Sequence, residues 1–251
     1  MKWKNKKLIL FSLTIGSSLF AQSCVQSQST EKQKQNDDKK LIPPRNSADL
    51  DKKLAELKIK YENKLPYEIS QKFEHNKAIE VKIVNVRDGD TFDFVIENFG
   101  GSHALRFAGV DTPEKRTKDG RGNWGETTGQ QYEYAKRASR FTDFLSNIPQ
   151  FKYFVIPQKT KGGRNHITDH YGRIVGICYI KYNDKYINLN SELVRLGYAR
   201  KGYISLSSSS RYYTSNDTYY YQLTSSEEYA KNNKLGIWSE DANFSEIYPR
   251  N

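Results

Sequence analysis

Alternating apolar and polar residues in the first half of the chain predict a series of short strands. Residues 78–86 alternate well enough for one strand, and the dipeptide Asp88-Gly89 after them is a tight-turn signal. Residues 91–96 and 103–110 predict two further strands, separated by a turn at 98–102. If the second and third strands are hairpin partners, the residues that follow their turns meet at one end of the sheet.

The second half of the chain mixes helical and strand patterns. Apolar residues spaced by three and four predict a helix through Tyr134, Phe141 and Ile148. Residues 191–196 and 226–234 predict two more helices, each ended by a glycine, and residues 151–156, 171–180 and 187–189 predict strands. Five principal short strands with inserted helices, and no regular strand–helix alternation, predict an α+β fold, a small barrel with about three helices.

The N-terminus has the pattern of an export signal. Four lysines lie within the first seven residues, and the run Leu8–Phe20 is 13 residues long and uncharged, too short to span a bilayer. Small residues then precede Cys24, as in the lipobox of bacterial lipoproteins. We therefore expect residues 1–23 to be a lipoprotein signal peptide and Cys24 to carry the lipid, on the outer face of the cell membrane. An ordinary secretory signal with an incidental cysteine is the alternative.

Residues 24–75 are expected to form a tether between this anchor and the main domain, which is placed at 76–251. The stretch up to about residue 46 is rich in Gln, Ser, Lys and Asp, a composition typical of disorder. From Asp49 to Leu65, leucines and a tyrosine recur at helical spacing, which predicts one amphipathic helix that packs on the main domain or on a partner.

Composition adds two constraints. The chain has 251 residues, 36% of them hydrophobic, which suits one core and not two large domains. Its net charge of +11 favours polyanions but is equally common as a solubility device. Cys24 and Cys178 are the two cysteines and lie in unlike contexts, so no disulfide framework is expected, and Cys178 in an apolar strand is interpreted as an inert core thiol.

Five charged residues near the predicted strand ends carry the candidate chemistry. Asp90 follows the first tight turn, and Asp111 and Glu114 follow the third strand. Carboxylates of this kind suit Ca²⁺ or Mg²⁺. Arg106, inside an apolar strand, and Arg173 offer planar guanidinium groups that grip phosphate. Taken singly, each residue is as well explained as a turn, a cap or a surface ion pair; together they are the parts that phosphodiester hydrolysis requires.

The same residues lie in motifs that closely resemble the staphylococcal thermonuclease family. The similarity runs in order from about residue 78 to residue 240. It is carried by Asp88-Gly89-Asp90-Thr91, Leu105-Arg106-Phe107-Ala108-Gly109-Val110-Asp111-Thr112-Pro113-Glu114, Asp169-His170-Tyr171-Gly172-Arg173, Glu192-Leu193-Val194-Arg195-Leu196-Gly197-Tyr198-Ala199-Arg200 and Leu235-Gly236-Ile237-Trp238-Ser239-Glu240.

This resemblance implies an OB-fold-type five-stranded barrel and a Ca²⁺-dependent nuclease that cleaves DNA and RNA, preferentially single-stranded, on the 5′-oxygen side of the phosphate. The roles that it implies follow the matching positions. Asp90 and Asp111 would be metal carboxylates and Thr112 a backbone-carbonyl ligand, Glu114 the general base, Arg106 and Arg173 the phosphate-binding pair, and Tyr171 and Tyr203 substrate-binding residues.

The sequence departs from the family pattern in places. His170 stands where the family has lysine, and Ser205 replaces the second of two base-stacking tyrosines, so base binding is weaker or supplied elsewhere. The loop after Gly120 is longer. A Tyr/Ser/Asn stretch opens with Ser207-Ser208-Ser209-Ser210 and runs to Tyr221, and its tyrosines either stack single-stranded bases or belong to a mobile polar insertion.

Two other functions remain open at this stage. A non-catalytic surface receptor could use the same barrel to hold extracellular nucleic acid, although a degenerate relative of that sort would be expected to lose acidic or arginine positions that are all present here. An adhesin with an incidental nuclease domain is the third reading. Nothing in the sequence indicates an obligate protein partner.

Overall fold

The computed structural model describes residues 44, 46–97, 99–161 and 166–249. The expected signal peptide, the lipid attachment site Cys24 and the tether as far as residue 43 lie outside the described residues. Among the described residues, no helix has the length and apolar character needed to cross a membrane.

A strongly curved sheet forms the centre of the fold. Its strands are β1 (Ile79–Asp88), β2 (Thr91–Val95), β3 (His103–Phe107), β7 (Lys152–Pro157), β8 (Ile174–Tyr182) and β9 (Lys185–Asn188). They lie in the order β3-β2-β1-β7-β8-β9, and a parallel pairing of β3 with β8 joins the first strand to the fifth. Because β3 pairs on both sides, five strands close into a barrel and β9 extends it, which confirms the expected fold class.

Four short strands lie outside this sheet. They are β4 (Val110–Asp111), β5 (Arg116–Lys118), β6 (Trp124–Glu126) and β10 (Arg200–Lys201). The strand expected over 103–110 is therefore divided: β3 ends at Phe107, and β4 pairs with β10 instead. Gly109 makes this change of direction with a φ of +70°, a conformation that glycine adopts without steric cost.

Five α-helices surround the barrel within the described residues. They are α1 (Ser47–Glu56), α2 (Gly129–Ser146), α3 (Leu189–Arg195), α4 (Asp217–Asn232) and α5 (Phe244–Ile247), with a 3₁₀ helix at Gly236–Trp238. The expected amphipathic helix and the three barrel helices are present, and α5 is additional. Helix α4 begins nine residues before the predicted 226 because Asn216 caps it, accepting a hydrogen bond from the amide of Tyr219.

The N-terminal helix is shorter than its apolar pattern predicts. Leu50 and Leu54 are fully buried, as expected of an amphipathic helix, but α1 ends at Glu56 and not at Leu65. Lys58 has a φ of +55°, a left-handed residue of the kind that ends helices. The side chain of Arg195 then donates to the carbonyl of Lys58, so the chain beyond the helix follows the barrel instead of continuing as a helix.

The core fills the barrel and the space under the helices. Aromatic side chains dominate its centre: Phe92 and Phe107 pack edge to face with ring centroids 5.3 Å apart, and both are buried. Cys178 is a buried free thiol, and burial raises the pKa of that thiol, in agreement with its interpretation as an inert core residue.

Candidate active site

Two buried carboxylates lie at one end of the barrel, where β2, β3 and β4 meet. Asp90 and Asp111 are each 4% exposed. Thr112 donates to Asp90 Oδ2 from both its backbone amide, at 3.1 Å, and its hydroxyl, at 2.8 Å. The antiparallel pairing of β2 with β3 places Thr91 opposite Arg106 and so brings these residues together. The convergence expected from the sequence is therefore present.

The turn that carries Asp90 is pressed against α2. A Cβ atom added at Gly89 would lie 2.7 Å from Ala138 Cβ and 2.9 Å from Thr112 Cγ2, closer than atoms of real side chains approach. The carbonyl of Gly89 accepts a hydrogen bond of 2.6 Å from the hydroxyl of Thr142, also on α2. Because Gly89 has no side chain, the turn packs directly against α2, and the helix thus fixes the position of Asp90.

Arg106 lies between the two carboxylates. Its Nη1 contacts Asp90 Oδ2, and its Nη2 lies 3.8 Å from Asp111 Oδ1. Burial lowers the pKa of Arg106, and the neighbouring Asp111 opposes that shift. Since a guanidinium remains charged even so, it offsets the two buried negative charges.

Arg173 lies on the same side of the barrel, immediately before β8, and is held by Asp169. Its Nε and Nη2 each lie 2.7 Å from Asp169 Oδ2, while Asp169 Oδ1 accepts the backbone amides of Tyr171 and Arg173. The ring of Tyr171 lies 5.2 Å from the Arg173 guanidinium and is 73% exposed. The guanidinium is therefore oriented by one carboxylate and still reachable from solvent.

Glu114 lies at the mouth of the site. Loss of hydration raises the pKa of its carboxyl group, the Asp88 carboxylate raises it further, and Arg106 opposes both effects. Among the described residues, no hydrogen bond or ion pair reaches its side chain. Its backbone is fixed, because the hydroxyl of Thr127 donates to the Glu114 carbonyl at 2.7 Å. An exposed carboxylate with no protein partner is free to accept a proton from water.

One cavity of about 890 Å³ contains these groups. Four of the sequence-predicted metal and catalytic residues line it together with both predicted substrate-binding tyrosines: Asp90, Arg106, Glu114, Tyr171, Arg173 and Tyr203. Asp111 and Thr112 lie directly behind this lining through their contacts with Arg106 and Asp90.

Sequence reasoning did not single out three residues that shape the site. Asp169 orients Arg173, Arg200 Nε donates to Asp111 Oδ2 at 2.7 Å, and the hydroxyl of Tyr248 donates to the Asp111 carbonyl at 2.7 Å. Asp169 and Arg200 belong to the motifs that carry the resemblance, which was the available signal. Tyr248 lies outside them and is recognisable from its contacts alone.

The carboxylate pair fits a hard divalent cation. Both groups offer oxygen atoms, and one guanidinium already bridges them, so both lie within reach of a single positive centre. Within the described residues, no group of three or more His, Cys, Asp or Glu side chains is arranged to hold a metal. The protein would therefore supply two carboxylates and the Thr112 carbonyl, and water or substrate would complete the shell.

Comparison with known proteins agrees with this geometry. The chain is 30% identical over 166 residues to an uncharacterized protein of Methanocaldococcus jannaschii, a match that covers 63% of this chain and 70% of that protein. Residues 104–240, more than half of the chain, match the family described as staphylococcal nuclease homologues. This chain therefore belongs to the staphylococcal nuclease homologue family.

Proposed function

We propose that the protein is a Ca²⁺-dependent nuclease that hydrolyses phosphodiester bonds in single-stranded DNA and RNA. One observation carries the proposal: a single cavity holds a buried carboxylate, two guanidinium groups and an exposed carboxylate without a protein partner. Membership of the nuclease family supports the reaction class. The carboxylates would hold the cation, the guanidiniums the phosphate, and Glu114 would serve the attacking water.

In this proposal the chemistry is divided among the protein's own groups as the family resemblance implies. Arg106 and Arg173 bind the non-bridging oxygens of the phosphate, which gain negative charge as the fifth bond to phosphorus forms. Glu114 accepts a proton from water as the water oxygen bonds to phosphorus, and the bond to the 5′-oxygen breaks. That oxygen leaves and takes a proton from solvent. The products end in a 3′-phosphate and a 5′-hydroxyl.

Asp90, Asp111 and the Thr112 carbonyl would hold the cation. When bound, a hard cation supplies positive charge that offsets the charge of the phosphate. The carboxylates now contact Arg106, which shares the same oxygen atoms. The charge on those oxygens is therefore compensated both with and without the cation. When the cation neutralises the two carboxylates, Arg106 is available to bind phosphate.

The test compares cleavage with binding in Glu114→Gln, Arg106→Lys and Arg173→Lys. Lysine keeps the charge but loses the bidentate fork, and glutamine keeps the size of Glu114 but loses its basicity. We expect single-turnover cleavage to fall by a factor on the order of 10²–10³ for the arginines and on the order of 10²–10⁴ for Glu114. Binding of single-stranded DNA should weaken much less. Lys152→Ala, at an exposed ion pair with Glu80, is the control.

Metal dependence is measured on the wild-type chain. Ca²⁺ should support turnover, a chelator should abolish it, and Zn²⁺ should not replace Ca²⁺ because hard oxygen ligands do not suit it. Full activity in excess chelator would contradict the proposal. Wild-type rates in all three site variants would show that the nuclease site lies elsewhere, and binding without cleavage by the wild-type chain would favour the non-catalytic receptor that uses the same barrel.

We further propose that the enzyme is displayed on the cell surface by a lipid on Cys24. The lysine-rich start, the apolar run and the small residues before Cys24 support this localisation. Cys24→Ser should release the protein into the medium or leave an unprocessed precursor, as judged by detergent phase partitioning and mass. A processed variant that still partitions into detergent would count against it.

A further inference from the structure

The segment Ser205–Asn216 extends the wall of the active-site cavity. Four of its residues line that cavity, namely Arg211, Tyr212, Tyr213 and Thr214, and Lys159 and Lys161 line it from the neighbouring loop. These six residues carry three positive charges and two aromatic rings. None of them has a role in the hydrolysis described above, although they share its cavity.

The segment is folded back on itself by backbone hydrogen bonds, and its end is hydrogen-bonded to residues outside it. At its start, Ser205 donates from its amide to the Tyr212 carbonyl at 2.9 Å and accepts from the Thr214 amide at 2.8 Å. At its end, the side chain of Asn216 donates to Tyr67 and Gln158, each at 3.0 Å. The backbone that carries Tyr212 is therefore hydrogen-bonded within the segment, and the end of the segment is hydrogen-bonded to residues outside it.

A series of ring contacts connects the segment to the phosphate-binding arginine. The Arg106 guanidinium lies 6.0 Å from the ring centre of Tyr203, which in turn lies 5.2 Å from that of Tyr212. Arg211 lies 5.2 Å from the ring of Tyr212. Tyr203 and Tyr212 are 54% and 40% exposed, so both rings can be reached by a ligand in the cavity.

The backbone under Tyr203 supports a binding role for this surface. Tyr203 has a φ of +54°, which is costly for a bulky side chain and persists where the surrounding structure imposes it. It follows Gly202, at which an added Cβ would lie 2.8 Å from Asp111 Cβ. The strained turn therefore holds an aromatic ring beside the carboxylate site, facing Tyr212.

We propose that Tyr212 and Arg211 form a second nucleotide-binding site next to Tyr203, so that the protein binds a single strand several nucleotides long. This inference rests on the proposed function. Exposed aromatic rings stack bases without regard to sequence, and interleaved cations follow the phosphate backbone. The ring of Tyr212 would stack a base beyond the one at Tyr203, and Arg211 would contact the phosphate between neighbouring nucleotides.

The experiment measures binding by the full-length chain in chelator, so that it does not depend on cleavage. Fluorescence anisotropy is recorded with labelled oligothymidylates of about 12 and about 3 nucleotides, the longer within the range that one OB fold covers. Tyr212→Ala should weaken binding of the longer strand about tenfold, the loss of one stacked base, and that of the shorter strand less than twofold. Tyr221→Ala is the matched control, since Tyr221 is 58% exposed on α4 and does not line the cavity.

Salt dependence separates the two residues. Arg211→Ala should reduce the slope of log affinity against log salt concentration by about 0.7, the value for one phosphate contact in a single strand. Tyr212→Ala should leave the slope unchanged. Melting temperatures of the variants establish that they fold, which is expected because both side chains are exposed.

Three results would overturn the inference: unchanged affinity for the longer strand, equal loss for both strands, or an equal loss in Tyr221→Ala. Its failure is distinct from failure of the proposed function. A wild-type chain that cleaves DNA while Tyr212→Ala binds normally disproves the second site alone. A wild-type chain that never cleaves but binds through Tyr212 disproves the nuclease and keeps the site.

Discussion

At the scale of single residues, the site is built around balanced buried charge. Arg106 and Arg200 contact the carboxylates of Asp90 and Asp111, so two negative groups face two positive ones. Removing one partner of such a group leaves an uncompensated buried charge, which destabilises the protein by far more than the intact pair stabilises it. If the two carboxylates hold the cation as proposed, cation binding and the stability of this end of the barrel are therefore coupled.

This coupling predicts the behaviour of Arg106→Gln. Without Ca²⁺ the variant should lose about 3 kcal/mol of stability because Asp90 and Asp111 lose a shared counter-charge. Ca²⁺ should raise its melting temperature more than that of the wild-type chain, since the cation no longer competes with the guanidinium. Thermal denaturation with and without Ca²⁺ measures both effects, and Arg87→Gln, at the more exposed pair with Asp93, is the control. An equal Ca²⁺ response in all three chains would contradict the coupling.

If Arg173 binds the phosphate as proposed, Asp169 acts on the reaction through Arg173, because it holds the guanidinium. Asp169→Asn keeps a carbonyl oxygen for the amides of Tyr171 and Arg173 but loses the carboxylate that holds the guanidinium. We expect the cleavage rate to fall about tenfold, less than the loss on the order of 10²–10³ for removal of a catalytic donor, because the guanidinium is kept and only its orientation changes. KM should change little. Steady-state kinetics measure kcat and KM separately and so check both expectations. Glu80→Gln, which loses an exposed ion pair with Lys152, should keep full activity, and a wild-type rate in Asp169→Asn would show that Arg173 needs no such support.

The candidate site could be predicted where its residues lie in contiguous motifs with recognisable chemistry. Asp90, Arg106 and Arg173 carry such motifs and do lie in one cavity. The supporting contacts could not be predicted, because they depend on pairings distant in sequence. Arg200 reaches Asp111 through the pairing of β10 with β4, and Tyr248 reaches it from beyond α5.

At the scale of elements, the β1–β2 turn and helix α2 behave as one unit. Besides the close approach at Gly89, the hydroxyl of Ser139 donates to Asp88 Oδ1 at 3.0 Å. The first catalytic motif therefore has its geometry set by a helix that contributes no predicted site residue. A substitution that changes the distance between the turn and α2 would therefore displace Asp90 even though Asp90 itself is not replaced.

Gly89→Ala tests this dependence. The new methyl group would overlap Ala138 Cβ, and overpacking of this kind typically costs about 1–3 kcal/mol. Urea denaturation should show that loss, and single-turnover cleavage should fall as well because Asp90 is displaced. The double variant Gly89→Ala with Ala138→Gly should recover part of both. Gly120→Ala, where an added Cβ meets nothing within 4 Å, should change little. A fully stable and active Gly89→Ala would show that the contact does not matter.

The sequence predicted the type of most helices and strands better than the residues at which they begin and end. The start of β1 follows from alternation and α2 from apolar residues spaced by three and four, because both patterns reflect burial on one face. Strands β7 and β8 are buried on both faces and were predictable as short apolar runs. The hairpin of β5 and β6 was not predicted, since its residues are almost all exposed and carry no such pattern. The early end of α1 also escaped prediction: Leu57, Tyr61 and Leu65 do pack against the core, but from the turn and the irregular chain that follow the helix.

At the scale of the whole molecule, the segment before β1 is joined to the barrel by polar contacts as well as apolar ones. Glu62 forms a bridge with Tyr186 on β9, and its carboxylate accepts hydrogen bonds from Tyr179 and Gln222. These neighbours partly shelter the Glu62 carboxylate from solvent, and this loss of hydration raises its pKa. A stable catalytic unit should therefore begin well before residue 76, the boundary that composition suggested.

Truncation tests where that unit begins. A chain that starts at Pro44 should unfold cooperatively and cleave like the longer protein, whereas one that starts at Lys77 should be far less stable, because it exposes the surface that Leu50 and Leu54 cover. The point variant Leu54→Ala should cost about 2–5 kcal/mol, as is usual for a buried leucine. Lys52→Ala, on the exposed face of α1, should cost almost nothing. Urea denaturation of the four chains measures these differences. If the chain from Lys77 were as stable as the chain from Pro44, α1 would not contribute to the stability of the barrel. The burial of its leucines would then need another explanation.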